Sequence, residues 1–175
     1  MSVKGFTLLE ILLVMTILAV ISITFQQSSL LDSWRQWQRM RSLRASAYSL
    51  LEIISYTRTL ATSTQQSMFL CGNWDCHSGW GRQVFVYRTD DGSLQWQQII
   101  TSSDDISIVW KGFPIQRDHI EFTPEGGASY QNGSFYICDP DYLLRVRLNQ
   151  SGRAYLDPIV ELSTTTVEVE SCYGS

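Results

Sequence analysis

The balance of apolar and polar residues changes sharply after the first part of the chain. From Phe6 to Phe25 nearly every residue is apolar. A helix of about 20 residues, at about 1.5 Å each, reaches about 30 Å, the thickness of the hydrocarbon core of a bilayer. Residues 6–25 therefore predict a transmembrane helix. Lys4 is the basic residue ahead of this run, so the positive-inside rule places residues 1–5 in the cytoplasm and the rest outside.

A cleaved secretory signal peptide is the alternative explanation of such a segment. The apolar run is long for the core of a signal peptide, and no small-residue pair of the Ala-x-Ala kind follows it. The pattern favours a retained anchor.

The helical pattern continues beyond the apolar run. Residues 26–63 contain neither proline nor glycine. Apolar residues recur there at spacings of three and four, namely Met40, Leu43, Ala47, Leu50, Leu51 and Ile54. This spacing predicts that the helix continues over 26–63 with one face packed on the remainder of the chain.

Residues 64–175 change to short β-branched and aromatic runs between turn residues. The predicted strands are Ser67–Cys71, Gln83–Arg88, Leu94–Ile100, Ile106–Trp110, His119–Thr123, Ser134–Cys138, Leu143–Asn149 and Ile159–Leu162. Turns are predicted at Asp91-Gly92, Asn132-Gly133 and Ser151-Gly152. A long helix followed by consecutive strands predicts an α+β fold with antiparallel sheets.

Composition and charge narrow the class of protein. The 175 residues suit one globular domain plus an anchor. The net charge of -4 disfavours a nucleic-acid-coating protein, although a local basic patch remains compatible with it. His77 and His119 lie outside any nucleophile or phosphate-loop motif, so no enzyme, resident metal or cofactor is expected.

Four cysteines, Cys71, Cys76, Cys138 and Cys172, all follow the apolar segment. An even number in an exported domain indicates two disulfides. Three pairings exist; the favoured one joins Cys71 to Cys76 in a short loop and Cys138 to Cys172, which ties the tail to a strand. A zinc site at Cys71, Cys76 and His77 is the alternative, which the loose spacing and an oxidising compartment disfavour.

Glu10 is the unusual residue of the apolar run. An ionised carboxylate there costs roughly 2.5–3.5 kcal/mol on insertion scales, unless hydration near the interface or a positive partner compensates it.

Residues Gly5 to Glu10, Gly-Phe-Thr-Leu-Leu-Glu behind a short leader with Lys4, resemble the class III signal of type IV pilins and type II secretion pseudopilins. The resemblance implies that prepilin peptidase removes residues 1–5 by cutting between Gly5 and Phe6, and that Phe6 is then N-methylated. It also implies that Glu10 pairs with the N-terminal ammonium of a neighbouring subunit during assembly.

The order of features in the head resembles the FimT, FimU and GspH group. These features are Cys71, Cys76, Trp80-Gly81, the run from Asn132 to Cys138 and Gly152-Arg153. The resemblance implies a pilin-like fold, with a long N-terminal helix under an antiparallel sheet. It also implies a minor pilin that primes assembly and lies near the tip of a type IV pilus, or alternatively the minor pseudopilin H of a type II secretion system.

Some FimT-type relatives bind DNA through a Gly-Arg-x-Arg motif. This chain reads Gly152-Arg153-Ala154-Tyr155, so tyrosine replaces the second arginine. Arg145 and Arg147 alternate onto one strand face and join Arg153 in a candidate basic patch. DNA is therefore an alternative partner; the expected partners are the peptidase, other pilin-like subunits and inner-membrane lipid, with the head in the periplasm before it joins the fibre.

Overall fold

The computed structural model describes residues 7–26, 30–101, 103–114, 116–162 and 172, except for the side chains at 24–26 and 30. Two helices come first, α1 (Leu8–Gln26) and α2 (Leu30–Thr64). Nine strands follow within the described residues: β1 (Met68–Cys71), β2 (Gln83–Arg88), β3 (Leu94–Ile99), β4 (Ser107–Phe113), β5 (His119–Phe122), β6 (Asn132–Cys138), β7 (Tyr142–Leu148), β8 (Ala154–Leu156) and β9 (Val160–Glu161).

The chain divides into two compact units, residues 1–38 and 39–175. In the first unit, the described side chains of α1 are exposed on every side of the helix, apolar ones included. Among the residues that the structure describes, no helix is both long and apolar enough to cross a membrane. The predicted span 6–25 begins at Phe6, outside the described residues, and stays a prediction.

In the second unit, one stripe of α2 forms a wall of the core. The residues of this stripe recur every three or four positions and are buried: Leu43, Ala47, Leu50, Ile54, Thr57 and Ala61. The first four were predicted from the apolar spacing, whereas the predicted Met40 and Leu51 are only partly buried. The Thr57 hydroxyl, which has no solvent to bond, donates to the Ile53 carbonyl at 2.7 Å. The continuity of the helix through residues 27–29 lies outside the described residues.

The strands form two antiparallel sheets. The four-stranded sheet has the order β3-β2-β1-β5, and the five-stranded sheet has the order β4-β6-β7-β8, with β9 also pairing with β7. Their inner faces share one apolar core with α2. An aromatic cluster closes part of this core, because the Phe135 ring lies 4.6 Å from Trp80 and 4.4 Å from Trp110 between ring centroids.

Two of the three predicted turns have the expected place. Gly92, with φ 66°, lies between β2 and β3, and Gly152, with φ 74°, lies between β7 and β8. The predicted turn at Asn132-Gly133 is wrong, because both residues belong to β6 and pair with Phe113 and Gly112. A Cβ at residue 133 would stand 2.3 Å from the Lys111 carbonyl oxygen, so this glycine permits a close approach of two strands.

Most predicted strands lie within a few residues of the observed ones. The prediction Ile106–Trp110 was too short, since β4 continues to Phe113, and β8 was not predicted at all. The fold is α+β, as expected.

Candidate functional site

The start of α1 is set by Thr7. Its hydroxyl accepts the Glu10 backbone N–H at 3.3 Å, and its carbonyl accepts the Glu10 N–H at 3.0 Å and the Ile11 N–H at 3.3 Å. Thr7 is thus the N-cap and Glu10 the third residue of the helix. An acid in the first turn also interacts favourably with the positive end of the helix dipole.

This geometry places Glu10 on a helix whose apolar side chains are exposed around it. Leu8 and Leu9 precede it and Ile11 follows it, and more than half of each side chain is accessible. Gly5 and Phe6, the predicted cleavage and methylation sites, lie outside the described residues. Their roles stay predictions.

The outer face of the five-stranded sheet carries cations in register. Lys111 pairs with Ser134, Ser134 with Arg147, and Arg147 with Tyr155, so these four side chains form one row across β4, β6, β7 and β8. Adjacent strands lie about 4.8 Å apart, which puts the backbones at Lys111 and Arg147 about 9.6 Å apart. A neighbouring row places Tyr136 beside Arg145.

One carboxylate holds two of the predicted basic residues. Asp157 Oδ2 accepts from Arg145 Nε at 2.6 Å, and Asp157 Oδ1 accepts from Arg147 Nε at 2.9 Å and Nη2 at 2.7 Å. The hydrogen bond that Arg145 donates to Asp157 raises the pKa of Arg145; burial opposes this shift, and the Tyr136 hydroxyl adds to it. The prediction missed Asp157, because nothing in its local sequence marks it as a partner of β7.

Arg153 lies in the turn between β7 and β8. Its backbone N–H donates to Asn149 Oδ1 at 2.9 Å, and its carbonyl accepts the Asn149 N–H at 3.0 Å. Arg145 and Arg147 thus share Asp157 on one strand face, and the membership of Arg153 in the same patch stays a prediction.

A groove of about 580 Å³ opens on this face. Its lining includes the exposed aromatic side chains of Phe113 and Tyr155 and one cation, Arg147; the other lining residues are Asn132, Gly133, Ser134, Leu148 and Asn149. The volume of the groove is within the range of ligand sites. A cation beside two aromatic side chains suits a ligand that carries an anionic group next to a planar or apolar group.

The cysteines form two disulfides, Cys71–Cys76 and Cys138–Cys172. Neither Cys71 nor Cys76 is left as a thiolate, which removes the sulfur ligands of the alternative zinc site with His77. Among the described residues, no group of three His, Cys, Asp or Glu side chains is placed to hold a metal ion. The second disulfide packs with Leu143 and Leu162 in a small apolar cluster.

His119 is the half-buried histidine of the head, on β5 beside the Phe69 ring at 4.7 Å between centroids. Burial lowers the pKa of His119, as does the charge of Arg117, while Glu121 opposes the shift. A neutral imidazole in contact with an aromatic ring is explained by packing.

Comparison with known protein families gives one match to the N-terminal segment and a second match that starts within α2 and continues through the head. A family profile described as "Prokaryotic N-terminal methylation motif" matches residues 1–25, and one described as "Type II transport protein GspH" matches residues 46–152. No curated protein sequence matches the chain.

Two crystal structures of the type IV minor pilin FimU of Pseudomonas aeruginosa (strain PAO1) are similar in fold. The first, in space group P21, has a TM-score of 0.57 at 19% identity over 70% of this chain and 92% of FimU. The second, in space group P65, has a TM-score of 0.53 at 20% identity over 66% and 92%. The fold is therefore the pilin fold of FimU. Since the GspH profile covers more than half of its residues, the chain belongs to the family described as type II transport protein GspH, within the type IV pilin and pseudopilin group.

Proposed function

We propose that the chain is a non-enzymatic minor pilin that primes assembly of a type IV pilus and lies near its tip. It is made as a precursor, cut between Gly5 and Phe6 and methylated on Phe6. A single N-terminal helix then holds it in the inner membrane, with the head in the periplasm, until it joins the fibre. The observation that carries this proposal is α1, an apolar helix exposed on every side with Glu10 in its first turn.

An apolar helix exposed all round needs an apolar environment, because water disfavours so much exposed hydrocarbon. Lipid provides that environment before assembly, and the helices of other subunits provide it in the fibre. Glu10 is the exception on this surface. In a medium of low dielectric its carboxylate needs a positive partner, which the new N-terminal ammonium of an adjacent subunit supplies.

This proposal is tested with Glu10→Ala in the native host, compared with Thr16→Ala as a control on the same helix. We expect Glu10→Ala to be processed normally, as shown by mass spectrometry, but to be lost from the sheared fibre fraction, whereas Thr16→Ala is retained. Incorporation of Glu10→Ala at the wild-type level, or a functional form that still carries residues 1–5, would contradict the proposal.

A role as minor pseudopilin H of a type II secretion system is the second candidate, favoured by the description of the matching family. A type IV pilus and a type II secretion system would use α1 in the same way, so the phenotype of a mutant that lacks the gene has to distinguish the two roles. Deletion of the gene separates them: loss of surface pili with normal secretion supports the pilus, and retention of exported enzymes in the periplasm supports secretion.

DNA binding is a third candidate, favoured by the row of cations beside the groove. Lys111, Arg145 and Arg147 stand on one face of an acidic chain, Asp157 bonds the two arginines, and Arg153 lies in the turn before β8. Phe113 and Tyr155 line the groove, where an unpaired base would stack while Arg147 bonds a phosphate.

A gel-shift assay with the full-length protein in detergent tests this candidate. If DNA binds, Tyr155→Ala should weaken single-strand binding more than duplex binding. Arg153→Ala should weaken both and flatten the salt dependence. Exposed Arg35→Ala, on α2, is the matched control. The absence of a shift at low salt would exclude this role.

A further inference from the structure

Two glutamine side chains are bonded to strand edges in the same way. Gln116 Nε2 donates to the Trp110 carbonyl at 2.7 Å, and Gln116 Oε1 accepts the Gly112 N–H at 2.6 Å. Gln131 Nε2 donates to the His119 carbonyl at 3.0 Å, and its Oε1 accepts the Glu121 N–H at 3.0 Å. Each carboxamide thus donates to the carbonyl of one residue and accepts from the N–H two residues later. A neighbouring strand would bond these same backbone groups.

The two glutamines differ in burial. Gln131 is 3% exposed, so the hydrogen bonds that it makes to the four-residue strand β5 lie inside the head. Gln116 is exposed and lies a few residues beyond the end of β4, whose edge it covers. An exposed side chain can rotate away without leaving a cavity, so the cover on β4 is removable.

The β4 edge is also the longest regular edge among the described strands. β4 pairs with β6 through seven consecutive residues without a register shift. The β3 edge has an irregularity opposite Val86 and Tyr87, and its Ile99 carbonyl accepts a hydrogen bond from Ser49 Oγ at 3.4 Å. Irregularities of this kind block strand addition, and β8, with three residues, is short. Among the described residues, β4 shows no such irregularity, and the Gln116 carboxamide is bonded to its edge.

The side chains on β4 indicate what would pair there. The outer face of the strand carries Lys111 and Phe113, the latter 68% exposed, and the strand contains no acid. A cross-strand pair of opposite charges, and one of aromatic with apolar residues, both stabilise strand pairing. The complementary strand is therefore extended, with an acidic side chain opposite Lys111 and an apolar one beside Phe113.

We propose that the β4 edge, from Ser107 to Phe113, docks an extended acidic and apolar segment of another pilin-like subunit, and that Gln116 is the cover which this segment displaces. The incoming backbone replaces the carboxamide at the Trp110 carbonyl and the Gly112 N–H, so two hydrogen bonds are exchanged for two others. The inference rests on the proposed function, because the partner strand comes from a subunit of the same fibre.

The test places a photo-crosslinking phenylalanine analogue at position 113 of the full-length protein, expressed in its native host with the fibre assembled. The same analogue at position 74 is the control, since exposed Trp74 lies in the loop after β1, away from β4 along the chain. We expect position 113 to link to a strand segment of a different pilin-like subunit, identified by peptide mass spectrometry, and position 74 not to link to that segment.

Two variants test the roles of Gln116 and Lys111, and a third is a control. Gln116→Ala removes the competitor and should raise the yield of the link by roughly three- to tenfold. Lys111→Glu should lower the yield by a similar factor. Arg82→Glu, which reverses a half-exposed cation ahead of β2 in the other sheet, should leave the yield unchanged.

Several outcomes would overturn the inference. Links between two copies of this chain would identify a different occupant, and equal yields in Gln116→Ala and wild type would show that Gln116 covers nothing that docks. If the chain is present in the fibre fraction but gives no links from position 113, the docking site is wrong and the proposed function still stands. If the chain is absent from the fibre, both the docking site and the proposed function are wrong.

Discussion

Leucine side chains are exposed on the first helix and buried in the middle of the second helix. Leu12 on α1 is 60% exposed, whereas Leu50 on α2 is fully buried. Leu50 belongs to a stripe that the two sheets cover, and so its hydrophobic stabilisation is gained within the head itself. Leu12 contributes hydrophobic stabilisation only when other molecules cover α1. The exposed fraction thus distinguishes residues that stabilise the head from residues available for contacts with lipid or other subunits.

The same contrast recurs in other residue types, which gives matched pairs for experiment. Each pair below has one member enclosed by the chain's own atoms and one member facing outward. If the contrast is correct, a substitution of the enclosed member lowers the stability of the head more than the same substitution of the outward member.

The largest effect is expected for the leucines. Leu50→Ala removes a fully buried side chain and leaves a cavity, so it should lower the free energy of unfolding by about 2–5 kcal/mol. Leu12→Ala should leave the unfolding of the head unchanged. Urea unfolding of the full-length protein in detergent, followed by Trp fluorescence, measures both. An equal loss for the two variants would break the comparison.

A smaller effect is expected for two turn glycines with positive φ. A Cβ on Gly152 would lie 2.2 Å from the Gly126 carbonyl oxygen, which also accepts a 3.0 Å hydrogen bond from Arg58 Nε on α2. Gly152→Ala should therefore cost about 2–4 kcal/mol of unfolding free energy, from strain and overpacking. Gly92 has open space around it, so Gly92→Ala should cost about 1 kcal/mol, from strain alone. Comparable urea midpoints for these variants would contradict the enclosed position of Gly152.

The two glutamine covers give the third pair. Gln131→Ala leaves the His119 carbonyl and the Glu121 N–H without their partner in the interior, which should cost about 1–3 kcal/mol. Gln116→Ala exposes its two backbone groups to water and should change stability by less than about 0.5 kcal/mol. Thermal unfolding monitored by circular dichroism distinguishes them. A larger loss in Gln116→Ala would show that the β4 cover is structural.

The smallest effect concerns pH. Because burial lowers the pKa of His119 below 6.5, the unfolded chain binds the proton more readily than the folded chain. The stability that a neutral His119 contributes is present above about pH 6.5 and is lost as the pH falls through the folded-state pKa. His119→Phe, which keeps a ring against Phe69, should reduce the dependence of Tm on pH between 7.5 and 5.5. An unchanged dependence would rule out this histidine as its source.

Much of the fold was predictable because the relevant signals are local. The spacing of Leu43, Ala47, Leu50 and Ile54 marks a helix face, and most strands are bounded by turn residues. β8 was missed because three residues, Ala-Tyr-Leu, carry too little alternation. Asn132-Gly133 suggested a turn by composition, but here the glycine serves the close approach of β4 and β6.

The sites were less predictable, because their partners are distant in the sequence. Strand alternation predicts that Arg145 and Arg147 share a face, but not that Asp157 binds both. Nothing in the sequence around Gln116 or Gln131 marks either as a partner of a backbone edge. Such contacts depend on where a turn leaves a flexible side chain, which the periodicity of apolar residues does not specify.

The cap at Thr7 bears on the cleavage that we propose between Gly5 and Phe6. All three described hydrogen bonds of the first turn of α1 end on Thr7 itself. Proteolysis between Gly5 and Phe6 would therefore sever the chain upstream of these bonds and leave them intact. The proposed processing would create a charged amino group near the start of α1 and keep the N-cap, so a subunit could be trimmed and recruited without refolding.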